Sequence, residues 1–447
     1  MASGPETPAS SLPLPIDSVL VNLKFLLQRY AARARRARLR LQSAGLASTA
    51  RQAIAMRSRT PFDAGGATGN EIVHTIWKLG TPWILVVDSG MPAPDQDSGS
   101  KRLVGLLRLL LDSGHRVAFV SDDGSHTGPR ADALRAMGVH VPPASGSLGL
   151  AEWVRRQGAT LQAAILCRHY IAGHWIGLVR SAAPHARIVF DTVDLHFLRE
   201  QREARVRDSG ALLRLARGTQ RRELSLIARA DITWVVSHVE QALLRELVPH
   251  ADVKVLSNII DTDDEGASFE EREGLLFVGG MLHPPNRDAA HWLATEIYPA
   301  IRRGLPGVPL HLVGTMTDEM RAVLETVPGL RVHGHVPDIE PFAAQCRIAI
   351  APLRFGAGVK GKINLSMSHG QPVVATSCAV EGMHLTPGHD VLVADDAETF
   401  AGHVARLYND AALWRSLAEA GRANVRMHFS PDAARRILED SLCEIRA

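Results

Sequence analysis

Short apolar runs bounded by glycine, proline and charge recur through most of the chain, separated by stretches in which leucines and alanines return every three or four positions. Runs of the first kind read as buried strands, and stretches of the second as helices packed against them. The first such pair is WILVVD at 83 to 88, then a helix at 98 to 112. That helix places Leu103, Leu106, Leu107, Leu110 and Leu111 inward, has Asp97 or Ser98 as N-cap, and is closed by Gly114. Strands follow at 116 to 121, near 162 to 166, and at 187 to 190, 234 to 237 and 253 to 256, with helices near 129 to 137 and 172 to 182. A charge-dense helical stretch, 199 to 229, reads as mostly a solvated face.

After a segment rich in acids and poor in apolar residues, 258 to 274, the alternation resumes. Strands at 275 to 278, 311 to 313, 330 to 333, 348 to 351, 372 to 376 and 391 to 393 are interleaved with helices, and a last helix begins at Pro431. Two series of this kind predict an α/β protein with two doubly wound, Rossmann-like parallel sheets, spanning 81–258 and 259–430, with 431–447 as a terminal helix. Ligands of such sheets meet the loops that follow the strands.

The first 80 residues are different. Residues 1 to 17 are rich in Pro, Ser and Ala; Glu6 and the missing apolar core argue against a secretory signal. Leu20, Leu23, Leu27 and Tyr30 then recur at helical spacing, and Arg29, Arg33, Arg35, Arg36, Arg38 and Arg40 crowd a stretch with no acid between Asp17 and Asp63. A basic amphipathic helix over 18 to 40 can lie on an anionic membrane, each arginine near the headgroups adding about 1 kcal/mol. A solvated helix, or one docked on protein, fits the same pattern. Residues 58 to 80 read as a linker.

Composition narrows the classes. At 447 residues with a formal charge of +3, the chain has room for two cores and no call for nucleic acid. No run approaches the roughly 18 apolar residues of a membrane-spanning helix. Four scattered cysteines without CxxC spacing indicate neither zinc site nor disulfide framework, and point to a reducing cytoplasm.

The chemistry gathers in 347 to 383, RIAIAPLRFGAGVKGKINLSMSHGQPVVATSCAVEGM. Its glycine loop, Gly356-Ala357-Gly358-Val359-Lys360-Gly361-Lys362, joins a strand to a helix, where free backbone N–H groups and two lysines suit a phosphate or diphosphate. The loop nearly fits a P-loop nucleotidase, but Ile363 stands where a hydroxyl would hold magnesium. A glycine turn with solvated lysines is the plainer alternative. Asp95-Gln96-Asp97 and Asp261-Thr262-Asp263 have a DxD spacing, for which capping and turn formation are better explanations than metal. Ser98, Gly99 and Ser100 open a helix at the first strand's ligand edge. After 187 to 190, Asp191-Thr192-Val193-Asp194-Leu195-His196 ends another strand in a polar loop on the same side.

Three segments resemble GT-B glycosyltransferases of family 4, of a bacterial subgroup associated with O-antigen and other surface polysaccharides. They are VVDSGMPAPDQDSGS (86 to 100), FVGGMLHPPNRDAAHWL (277 to 293) and PLRFGAGVKGKINLSMSHGQPVVAT with the Ala379–Met383 turn. The resemblance covers most of the chain after about residue 80. It implies a metal-independent, retaining hexosyltransferase that takes a nucleotide-sugar as substrate, with no cofactor, and passes the sugar to a saccharide or lipid-linked acceptor in the cytoplasm, peripheral on the membrane where the basic helix binds. By its pattern, Ser98, Gly99 and Ser100 border the acceptor or donor phosphate, and His196, then Asp194, contact the transferred sugar. Lys360 and Lys362 stabilise the leaving diphosphate, and Gly280, Arg287, Gly356, Gly358 and Glu381 complete the donor site. The terminal helix would return to the first domain.

The chain also departs from that pattern. Where many members have a glutamate pair separated by seven residues it has Ala357 and Leu365, and where they have a basic residue and a nearby lysine it has Gly280 and Pro285. A non-catalytic GT-B partner is therefore one alternative, and a nucleotide-sugar epimerase with a similar cleft is another.

Overall fold

Six apolar segments of the first half pair side by side: β1 (Trp83–Asp88), β2 (Val117–Ser121), β3 (Leu161–Cys167), β4 (Arg187–Asp191), β5 (Ile232–Val235) and β6 (Val253–Val255), in the order β2-β1-β3-β4-β5-β6. The structure is a computed structural model and describes residues 24–31, 34, 81–143, 146–262 and 266–442. All pairings in this sheet are parallel, with Val86 beside Phe119 and Ile165. Helices cover both faces, so β1 and β2 are buried along their whole length rather than alternating. Helix α1 (Ser98–Asp112) sets Leu103, Leu106, Leu107 and Leu110 against one face, and the Asp97 carboxylate caps it by accepting from the Ser100 N–H at 2.7 Å.

The second sheet contains β7 (Leu275–Val278), β8 (Leu310–Val313), β9 (Leu330–Gly334), β10 (Ile348–Ala351), β11 (Val373–Ala375) and β12 (Leu392–Val393), in the order β12-β11-β10-β7-β8-β9, again parallel. Neighbouring linker residues divide between the two halves: Ile259 packs in the first domain's core and Ile260 in the second's. The final helix, Pro431–Leu442, crosses back. Its Ala434, Leu438 and Leu442 join the core beneath α1, and Ser441 Oγ accepts from the Trp234 indole at 3.0 Å. At the crossing, the Ile260 N–H donates to the Phe429 carbonyl at 2.8 Å, so the chain's two passages between domains are bonded to each other.

One expectation needs correction. The charge-dense stretch is not one helix but two, α2 (His196–Val206) and α3 (Gly210–Ile227), folded against each other. The break is at Asp208, in the left-handed region at φ 44°, and Ser209 caps the second helix. The stretch is mostly exposed or half-exposed, as its charge suggests, but it buries Glu223 and Thr219. A further helix, Gly146–Gln157, was hidden by the glycines in its first turn.

Of the basic extension, residues 24–31 are helical. Phe25 packs edge-on to Trp175, with centroids 5.3 Å apart, and Arg29 Nε is 3.3 Å from the buried Asp122 carboxylate. Leu27 and Tyr30 face outward. Apart from Ala34, which is helical, the rest of the 18–40 stretch lies outside the described residues, as does Asp263. Among the described residues, no helix is long and apolar enough to cross a membrane.

Candidate active site

The carboxyl-terminal edges of the two sheets face each other across a cleft of about 790 Å³, lined by the loops after β1, β3, β4, β7, β8 and β10. This is where open parallel sheets expose backbone N–H groups and helix N-termini.

On the second domain's side, the glycine loop runs from β10 into helix α4 (Gly361–Ser368). Gly356, Gly358, Lys360 and Lys362 all line the cleft, as does Gly280 on the loop after β7. The lysines behave differently. Lys360 is buried and folds back on its own loop, donating to the carbonyls of Ala357 at 3.2 Å and Gly358 at 2.5 Å. Lys362 reaches over the Phe277 ring, 5.0 Å from its centroid, and donates to Asn286 Oδ1 at 2.7 Å. Asn286 in turn donates to the Gly280 carbonyl at 3.1 Å. Burial, with help from Lys360, pulls the Lys362 ammonium down to about 7, so an anion in the cleft would restore its charge.

On the first domain's side, the loop after β4 is supported from beneath by two buried carboxylates. Glu240 accepts from the N–H groups of Leu195 at 3.1 Å and Val236 at 3.2 Å, and Glu223 from those of His196 at 3.1 Å and Phe197 at 2.8 Å. Burial pushes Glu240 up to about 7. The loop presents Asp194 to the cleft, paired with Arg199 on α2. Burial alone would raise the Asp194 carboxyl, but Arg199, with His196, Arg168 and His283, holds it well below the usual carboxylate range. Two non-glycine residues on this side have left-handed backbones, Arg168 at φ 65° and Val193 at φ 64°, and both line the cleft. For β-branched Val193 such strain is rare outside functional sites.

The domains touch where side chains are missing. A Cβ on Gly361 would stand 2.6 Å from Ser98 Cβ, and one on Gly358, itself at φ 67°, would stand 3.1 Å from Asp194 Cβ. The amino ends of α1 and α4 therefore converge from opposite domains.

Not every residue singled out from the sequence lies in this space. Ser98, Gly99, Gly280, Gly356, Gly358, Lys360, Lys362 and Asp194 line it. His196 does not; it is buried behind Asp194, with Nδ1 3.1 Å from the Asp194 carbonyl and its ring stacked on His169 at 4.8 Å. Ser100 is taken up by Asp97, and Arg287 is not among the lining residues. Glu381 is also off the lining, because Arg202 on α2 grips both its oxygens. In the first DxD triplet, Asp97 caps α1 and Asp95 faces Arg130 at 3.7 Å and His335 at 3.5 Å. Sequence reasoning missed Arg168, Arg199, Arg202 and Asn286. The signal for Arg168 was available, a cation directly after a buried strand.

The two-sheet fold has counterparts in solved proteins. Sucrose-phosphate synthase from Thermosynechococcus elongatus superposes with a TM-score of 0.62 at 14% identity, covering 82% of this chain and 99% of that one. Anabaena HepE in complex with UDP and glucose does so with a TM-score of 0.60 at 16% identity, covering 80% and 99%. The fold is GT-B. Within it, residues 272–410, which include all of the second sheet, match the family model described as Glycosyl transferases group 1. An uncharacterized 44.6 kDa protein in the cps region of Klebsiella pneumoniae is 28% identical over 139 residues, 29% of this chain. That match spans about a third, 36%, of the relative's length.

Proposed function

We propose that the chain is a metal-independent, retaining glycosyltransferase that moves a sugar from a nucleotide-sugar to a saccharide or lipid-linked acceptor in surface polysaccharide synthesis. It works on the cytoplasmic side, with the outward face of the 18–40 stretch, which carries Leu27 and Tyr30, against anionic lipid. The observation that carries this reading is Lys362, held by Asn286 in the cleft wall at the amino end of α4, opposite Asp194. Departure of a nucleoside diphosphate leaves positive character on the sugar and negative charge on the phosphate. Lys362 and the N–H groups at the start of α4 answer the second, and Asp194, kept ionised by Arg199, answers the first. His196 orients the Asp194 loop from behind. The group 1 match and the cps-region relative support this substrate class, and the UDP and glucose held by HepE put UDP-sugars first among the donors to try.

The test is sugar release and transfer from a panel of nucleotide-sugars by the parent and Lys362→Ala. Loss of one well-placed charge costs about 3 kcal/mol, a rate drop of roughly a hundredfold. Equal rates in the two proteins overturn the assignment of Lys362. The absence of turnover with every donor favours a second reading, a non-catalytic GT-B partner, which one feature supports: Ala357 and Leu365 line the cleft without a carboxylate at either position.

A further inference from the structure

Beyond helping to hold Asp194 ionised, Arg168 has surroundings that suit an anion. It follows β3 directly, and its left-handed backbone turns the side chain into the cleft. Nε donates to the Asp88 carboxylate at 2.8 Å, which anchors the guanidinium, while Nη1 and Nη2 have no acceptor among the described residues. Nη2 lies beside Gly99, 3.3 Å from where a Cβ on that glycine would be. Asp97 and Asp194 also act on it, but the Asp97 carboxylate is already bonded to the Ser100 N–H and hydroxyl, and Asp194 is paired with Arg199. The N–H groups of the first helical residues have no intrahelical acceptor. Across the seam, Gly361 meets Ser98, and Lys362 follows it.

We propose that Arg168 binds the diphosphate of the donor, which is held between the converging amino ends of α1 and α4, with Arg168 on one side and Lys362 on the other. This rests on the glycosyltransferase reading and extends it. The second domain has Gly280 and Pro285 where a basic residue and a lysine are found in the family it resembles, and a first-domain guanidinium restores the missing charge. Its planar fork can donate two parallel hydrogen bonds to phosphate oxygens, which a lysine cannot. The donor site is then complete only with the domains together.

Calorimetry with inorganic pyrophosphate and with UDP, GDP, ADP, dTDP and CDP separates the claims. The proteins are the full chain, Arg168→Gln, whose amide can still donate to Asp88, and Arg168→Lys, which keeps the charge without the fork. Matching melting curves establish that the variants fold. The expected result is that a nucleoside diphosphate binds the parent, Arg168→Gln weakens it at least tenfold, and Arg168→Lys falls between. Equal affinity for parent and Arg168→Gln overturns the assignment while leaving the glycosyltransferase reading in place. Pyrophosphate bound through Arg168 with no nucleotide bound supports the anion site and removes the nucleotide-sugar reading. If neither binds the parent, both are overturned.

Discussion

Arg202 and Glu381 join the two domains through a two-pronged ion pair, Nη1 and Nη2 donating to the two carboxylate oxygens at 2.8 and 2.9 Å. Nη1 also donates to the Gly356 carbonyl at 2.8 Å, so the pair fixes the start of the glycine loop as well. Glu381 is therefore linked to the glycine loop through Arg202. A half-exposed pair of this geometry is worth about 1 kcal/mol. In a double-mutant cycle of Arg202→Ala and Glu381→Ala, donor affinity should fall in each single variant and fall no further in the double. Additive losses would mean that Glu381 touches the donor independently.

Gly361→Ala puts a methyl 2.6 Å from Ser98 Cβ. Either the loop shifts or the domains stay apart, and in both cases donor affinity should drop about tenfold or more while each domain remains folded. Gly361→Ala with Ser98→Gly removes the other half of the clash and should recover most of the loss. Failure of this rescue, measured by nucleotide calorimetry, would place the cost elsewhere.

Lys362 makes binding depend on pH. Its ammonium is pulled from 10.5 to about 7, so near pH 8 the free protein holds it mostly neutral. A bound diphosphate favours the charged form, and binding should take up a proton. Calorimetry at pH 8 in buffers of different ionisation enthalpy reads that proton, and Lys362→Met should abolish it. Without ligand the unfolded chain binds the extra proton, so this lysine makes stability rise from about pH 7 toward 10.5.

Glu240 works in the opposite direction. Its carboxyl is raised from 4.5 to about 7, so the folded chain holds a proton that the unfolded chain has released. Its contribution to stability is full below about 4.5 and disappears as pH rises through 7. Urea unfolding at pH 5, 6 and 7 should show that decline in the parent and a flatter profile in Glu240→Gln. An unchanged slope would assign the proton to another group.

Both sheets were legible because a strand buried on both faces is an apolar run with turn residues at its ends, as at WILVVD and IAIA. The glycine loop was legible because its composition and its position after such a run point the same way. The support beneath Asp194 was not. Glu223 sits in a run of charges whose spacing suits solvent, and only the Asp208 break, which turns α2 back against α3, brings it inside. His196 and Glu381 have the chemistry of a site, but each is claimed by neighbours distant in sequence, His169 and Arg202.

The hydrogen bond between Ile260 and Phe429 has a mechanical consequence. Two strands of chain tied at one point make a pin. The halves can swing about it like a door, but each is denied the free rotation of a bead on a string. Cutting the chain after Phe429 would remove the second passage between the domains and free the helix whose Ala434, Leu438 and Leu442 complete the first domain's core.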